Sequence, residues 1–380
     1  MPTKYDVFAE LIERAPCRAN DLDFNTPIYS HLKRLLSEKL ISKDGLNYIP
    51  LKNKKSQKIF EIIQYCLKNG LNYNLILSKN VPKIISKLFK HSPNMRPESL
   101  KSNNENVQIM NYLENHQFIL LVKKKPRRGI ILKHKLLENV LELNGLNGQL
   151  KTPSYINLKN EIKNLKSEIQ NPFNKNIFEF LSGSAQLEGG TITAGETMNL
   201  IVNDIYPDKP KKDIQMVKNL NEALNYIFEN LHEDIDENRI KELNRMVLFG
   251  LHRNAGKYKI SQNKIQGNPL FKTAHPKKVP ELMNNYCNNL KKFDSKSMIL
   301  EHLGYAHNEL QQIHPFSDGN SRTTRMLINW VMMKNKLPLI VVKMGCFDEY
   351  MKLTKLSIKR DDEKLTKLFH HMIIHENLIN

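Results

Sequence analysis

A mainly α-helical protein, with small β-hairpins confined to its first 150 residues and to one later loop, is what this 380-residue sequence predicts. Three observations carry the prediction. From about residue 155 to residue 375, apolar residues recur at three- and four-residue spacing almost without a break. Asp44-Gly45 divides two short β-prone stretches, the pattern of a tight hairpin turn. Five cations (Lys123, Lys124, Lys125, Arg127 and Arg128) divide Gln117–Val122 from Ile130–Leu132 in the same manner.

Taken in order, Val7, Phe8, Leu11 and Ile12 have the spacing of a first helix. A short segment around Asn20–Leu22 follows, and Thr26-Pro27 has the form of an N-cap with proline at the first helical position. The next helix gathers Ile28, Leu32, Leu35, Leu36 and Leu40 on one face and leaves Tyr29, Ser30, Lys33, Arg34 and Lys39 on the other. With the hairpin over residues 41–50, residues 1–52 resemble a winged helix-turn-helix, a module whose third helix enters the major groove of double-stranded DNA. Helices are expected at Gln57–Lys68, Val81–Lys90 and Glu105–Glu114, ahead of the second hairpin. Residues 53–150 therefore read as a basic helical region, either a second winged helix or a platform for the helical domain after it. Lys124, Arg127 and Arg128 at its hairpin tip suit a phosphate backbone. A helix over Lys133–Asn144 and a linker around Gly145–Gly148 close this part.

Residues 151–380 read as one helical domain, interrupted at Tyr258–Phe271 by a short hairpin or loop. Composition limits the function classes. Forty per cent apolar residues suffice for real cores, and the 15 glycines and 17 prolines exclude collagen-like and low-complexity chains. No stretch approaches a membrane span, the start lacks a signal-peptide core, and the four cysteines are scattered, so a cytoplasmic protein with no membrane partner is expected. Charge is uneven: the total is +19, and residues 51–100 alone hold ten basic and two acidic residues. A polyanion partner for the N-terminal part accounts for that unevenness better than a lysine-rich genome bias does.

Chemistry concentrates in His314-Pro315-Phe316-Ser317-Asp318-Gly319-Asn320-Ser321-Arg322-Thr323-Thr324-Arg325, between two helical patterns. A helix N-terminus behind a glycine turn cradles anions, and Arg322 and Arg325, three apart, share a face. Asp318 is placed to hold Mg²⁺, and His314 to act as general base on a hydroxyl. Phosphate, metal and base within twelve residues point to phosphoryl or nucleotidyl transfer.

This string resembles the motif of the Fic family, His-x-Phe-x-(Asp/Glu)-Gly-Asn-Gly-Arg-x-x-Arg, at every fixed position but Ser321, where the family usually has glycine. The resemblance implies an all-α core with a small β-hairpin flap and transfer of AMP from ATP to a protein hydroxyl. His314 would deprotonate the target and Asp318 would hold Mg²⁺. Gly319, Asn320, Ser321, Arg322 and Arg325 would bind and stabilise the phosphates. Lys259, Ile265 and Gly267 resemble the flap that docks the target. Ser184, Glu188 and Gly189 fit the family's inhibitory motif, (Ser/Thr)-x-x-x-Glu-(Gly/Asn), on a helix near 175–188, with Glu188 pairing Arg325 in place of the γ-phosphate. Should position 321 require positive φ, serine there would weaken the site or adapt it to another donor.

The expected function is an autoinhibited protein adenylyltransferase that uses ATP and Mg²⁺, acts on a protein target (the chain itself included) and also removes AMP. Double-stranded DNA and a homodimer are further expected partners. A second reading makes the chain a DNA-binding regulator whose Fic domain senses nucleotide with little catalysis. A third is transfer from another donor, in a phosphocholine or kinase-like reaction.

Overall fold

Thr3 starts the first helix, α1 (Lys4–Arg14): its hydroxyl accepts from the Tyr5 and Asp6 N–H groups while the Asp6 carboxylate accepts from Thr3 N–H. In this computed structural model, residues 2–92, 104–146, 153–165, 175–265, 268–355 and 359–379 are described. Two units divide the chain: Met1–Lys90 with Glu98–Asn111 and Lys135–Lys151, and His91–Pro97 with Tyr112–His134 and Thr152–Asn380.

In the first unit α1 is followed by β1 (Cys17–Arg18), a single 3-10 turn at Ala19–Asp21, α2 (Tyr29–Ser37), β2 (Ile41–Asp44) and β3 (Asn47–Pro50). The three strands form an antiparallel sheet of order β1-β3-β2, with Asp44 opposite Asn47 and Gly45 at φ +58 in the turn. The short segment expected around Asn20–Leu22 is thus the 3-10 turn. Thr26-Pro27 do not cap α2, which begins two residues later behind Ile28 with no side-chain cap. Ile28 is buried, so core packing sets that start. α3 (Lys54–Lys68), the short α4 (Tyr73–Ile76), α5 (Val81–His91), the first residues of α6 (Asn104–Asn115) and α7 (Lys135–Leu143) complete the unit.

β4 (Ile119–Lys123) and β5 (Arg128–Ile131) form the second hairpin, which falls in the second unit. Residues 53–150, expected as a second winged helix or a platform for the helical domain, are thus divided between the two units. Leu120, Ile130 and Leu132 share one continuous core with the helices of residues 158–374, because burying them there removes more apolar surface from water than an isolated hairpin can.

The remaining helices are α8 (Lys159–Lys163), α9 (Lys175–Gln186), α10 (Ala194–Val202), α11 (Lys211–Glu229), α12 (Glu237–Val247), α13 (Val279–Lys291), α14 (Lys296–Ile313), α15 (Asn320–Lys334), α16 (Phe347–Thr354) and α17 (Asp362–Ile379). The periodicity outlined nearly all of them. α15 is buried on every side from Asn320 to Met333 and forms the axis of the unit. α14 meets α17 at Gly304, where a Cβ would lie 2.1 Å from Asp362 O. Among the described residues of 258–271 there is no paired strand. In this segment, expected as a short hairpin or loop, Tyr258 forms a bridge to Phe316. The four cysteines are free and buried, and no described helix is long and apolar enough to cross a membrane.

Candidate active site

His314 ends α14 in the left-handed conformation (φ 50, ψ 59), which a β-carbon makes costly by roughly 1–2 kcal/mol. That turn swings the ring off the helix axis. Its Nδ1 lies 3.2 Å from Gln311 O. A carbonyl only accepts, so the bond places the ring proton on Nδ1 and leaves the Nε2 lone pair as the basic site. Burial pushes the imidazole down to about 4, against the Gln311 bond, and the fields of Lys355 and Lys259 lower it further. The ring is therefore neutral across the physiological range.

Asn320 closes the loop on itself. Its Oδ1 accepts from Phe316 N–H at 2.9 Å and its Nδ2 donates to Phe316 O at 2.8 Å. The carboxamide expected to face phosphate is thus occupied in shaping the turn. Gly319, at φ +73, is a position where a Cβ would meet Leu248 Cγ at 2.9 Å and Asn244 Nδ2 at 3.0 Å. Sequence reasoning missed Asn244. Fully buried on α12, it donates to Asp318 O and Thr323 Oγ1 and accepts from Gly256 N–H, binding loop, helix and flap base together. Nothing in its sequence context distinguishes it from any polar helix residue.

Ser321 lies in the first turn of α15 and is not among the residues with positive φ. Serine is unstrained there. Arg322 is buried and reaches Asp318 Oδ1 at 3.5 Å, while its Nε has no partner. A buried guanidinium N–H with no protein acceptor is chemically suited to an anionic ligand. Asp318 has a half-exposed side chain, and its Oδ1 accepts from Gly319 N–H at 2.6 Å. Among the described residues no group of three or more His, Cys, Asp or Glu could cage a metal. A single carboxylate beside a phosphate site fits Mg²⁺, which is commonly held by one or two carboxylates with phosphate oxygens and water.

Arg325, one turn further along α15, is held by α9. Its Nε donates to Ser184 Oγ, and its Nη2 donates to Ser184 O and to Glu188 Oε1, each at 2.9 Å. Burial works against both charges. Glu188 and Tyr350 nonetheless hold Arg325 above its usual value, and Arg325, Lys355 and Arg322 hold the Glu188 carboxyl below its own. Gly189 follows at φ +87, turning the chain away after α9. Lys355, at the end of α16, adds a third cation whose field acts on Glu188. It lies thirty residues beyond the motif, with no local signal.

The flap residues separate. Lys259 is buried: its N–H donates to Pro315 O at 2.8 Å, and its Nζ reaches Thr273 Oγ1 at 3.2 Å and Ile313 O at 3.3 Å. These contacts brace the His314 loop, and burial draws the ammonium down to about 8. Ile265 is half-buried, and Gly267 lies outside the described residues. In the first unit Tyr29, Ser30 and Lys33 are exposed on α2, and Arg34 pairs with Glu38. Lys124 and Arg128 are exposed on the hairpin of the second unit, but Arg127 is paired with the buried Glu114.

Acid should unfold this unit. His307, His314, His370, His371 and His375 are all buried and drawn down to between about 3 and about 4, with burial the main cause. Below an unfolded value near 6.5 the unfolded chain binds protons that the folded one refuses, so stability present above that pH is lost as pH falls. At pH 5 each histidine contributes about 2 kcal/mol of that loss, against a total stability of about 5–15 kcal/mol. Circular dichroism should show cooperative unfolding between pH 6.5 and 4; a folded signal retained at pH 4 contradicts it.

Residues 234–332 match the model of the Fic/DOC family. Protein adenylyltransferase Fic of Nematostella vectensis is 30% identical over 176 residues, 44% of this chain and 40% of that protein. Protein adenylyltransferase fic-1 of Caenorhabditis briggsae is 26% identical over 202 residues, 51% of this chain and 39% of that protein. The chain thus spans about two fifths of the length of these curated relatives. A solved structure of a Fic-1 variant from C. elegans superposes with a TM-score of 0.50 at 22% identity, over 58% of this chain and 68% of that one, a likeness of fold.

Proposed function

From the premise that this chain carries a Fic domain, we propose that it is an autoinhibited protein adenylyltransferase, moving AMP from ATP to a serine, threonine or tyrosine hydroxyl of a protein target. The observation that carries this reading is the single loop in which a neutral imidazole with a basic Nε2, an unpartnered Arg322 Nε and the N-terminus of α15 converge. His314 Nε2 takes the hydroxyl proton. The oxygen forms a bond to the α-phosphorus as the bond to pyrophosphate breaks, and the amides opening α15 stabilise the charge that develops. Arg322 binds the outer phosphates, and Asp318 would hold Mg²⁺, which when bound neutralises phosphate charge. Glu188 keeps Arg325 from the nucleotide until it is displaced. Mass spectrometry after incubation with ATP and Mg²⁺, run on the Glu188→Gly chain, should find an adenylyl group on a hydroxyl. Label transferred from γ-labelled but not α-labelled ATP would instead mean a kinase-like reaction.

The exposed Tyr29, Ser30 and Lys33 on α2 favour DNA as a ligand of the first unit. Lys33→Ala should reduce the slope of log affinity against log salt by about 1. An unchanged slope removes this face from DNA binding.

A further inference from the structure

The inhibitory helix rests on a stretch of chain with no regular structure, and a residue far away in sequence holds that stretch in place. Residues 338–343 are neither helix nor strand, so their buried backbone groups need partners from elsewhere. Asn329 of α15 supplies two, bonding Ile340 N–H at 2.8 Å and Ile340 O at 3.1 Å. Gln117 supplies the next two. Its Oε1 accepts from Lys343 N–H at 2.9 Å, and its Nε2 donates to Val341 O at 2.9 Å and to Glu376 Oε1 at 2.8 Å. Between those anchors Val342 O lies 2.4 Å from where a Cβ on Gly183 would stand, so α9 packs directly on this backbone. Lys343 Nζ completes the seat, 3.1 Å from Glu376 Oε2 and 3.7 Å from Glu179 Oε1 on α9.

Gln117 holds this place against its own backbone preference. It sits at φ 60 where α6 stops, with Phe118 N–H returning to Leu113 O, a position that glycine or asparagine normally takes. Its carboxamide makes three buried hydrogen bonds in return. A strained residue over-determined by such contacts marks a functional constraint.

We propose that Gln117 is a positioning residue for autoinhibition: by clasping residues 341–343 it keeps α9 seated, and with it Ser184 and Glu188 on Arg325. This rests on the inhibitory reading of Glu188 and names what maintains it.

The test is a double-mutant comparison on the full chain, measuring self-transfer of AMP from α-labelled ATP. Gln117→Gly relieves the backbone while deleting the carboxamide. With Glu188 intact it should raise the rate about five-fold or more, within the range of ordinary coupling energies. In a Glu188→Gly background it should change the rate less than two-fold, since no latch remains to release. A purely structural defect would lower both rates. No rise with Glu188 intact, or an equal rise in both backgrounds, overturns the clasp. Should Gln117→Gly prove unfolded at the assay temperature, Glu179→Gln, which weakens the Lys343 contact from α9, is read by the same two criteria. A Glu188→Gly chain no faster than wild type would be a different failure, removing the latch itself and the clasp with it.

Discussion

Replacing His314 with alanine should lower AMP transfer by a factor of about 10²–10⁴ while nucleotide binding persists, because the imidazole is placed to move a proton and not to hold phosphate. Its Nδ1 proton is fixed on Gln311 O, so only Nε2 faces chemistry. The cradle does not depend on the ring: Asn320 bonds both polar groups of Phe316, and Asn244 pins Asp318 and Thr323. Isothermal titration with ATP should therefore give similar affinity for Glu188→Gly and for His314→Ala/Glu188→Gly, with turnover lost only in the latter. Undiminished turnover would take His314 out of the mechanism. The alanine variant also relieves none of the backbone strain, since any side chain with a Cβ meets the same penalty at φ 50.

The opposite effect is expected of Glu188→Gly, with self-transfer rising ten-fold or more. Ten-fold corresponds to about 1.4 kcal/mol of differential binding, a modest demand on a charge-assisted pair whose guanidinium is almost wholly buried. Removing the carboxylate leaves Arg325 buried with Ser184 but no counter-charge, so the unliganded variant should melt at a lower temperature. ATP with Mg²⁺ should restore more stability to the variant than to the wild type, since the phosphate supplies the missing charge. Melting curves with and without nucleotide measure this directly. Equal ATP-dependent shifts in the two chains, with no gain in rate, would mean that Glu188 does not compete with nucleotide.

The site was legible in outline because its parts are contiguous. A histidine, an acid, a glycine turn and two arginines within twelve residues announce themselves, and Ser184 with Glu188 has a recognisable spacing. Roles within the motif were less legible. Asn320, read as a phosphate ligand, bonds both polar groups of Phe316, and Lys259, read as a docking residue outside the motif, is buried with its Nζ near Ile313 O. In both cases hydrogen bonds to backbone far along the chain, or across a turn, decide what the side chain does. Asn244 and Lys355 gave no signal, since a polar residue inside an amphipathic helix, or at its end, looks the same whether or not it meets a site.

Local periodicity and turn chemistry determined the helical character of residues 155–375, the two hairpins and the order of chemical groups in the loop. These arise from interactions within a few residues, which sequence records directly. Only tertiary packing decided that the hairpin after α6 joins the helical core, that Tyr258 bridges to Phe316, and that Gln117 bonds residues 341 and 343 across more than two hundred residues. Each of those outcomes turned on burying apolar surface or satisfying backbone groups between distant segments, and a gain of that kind does not exist until the segments meet.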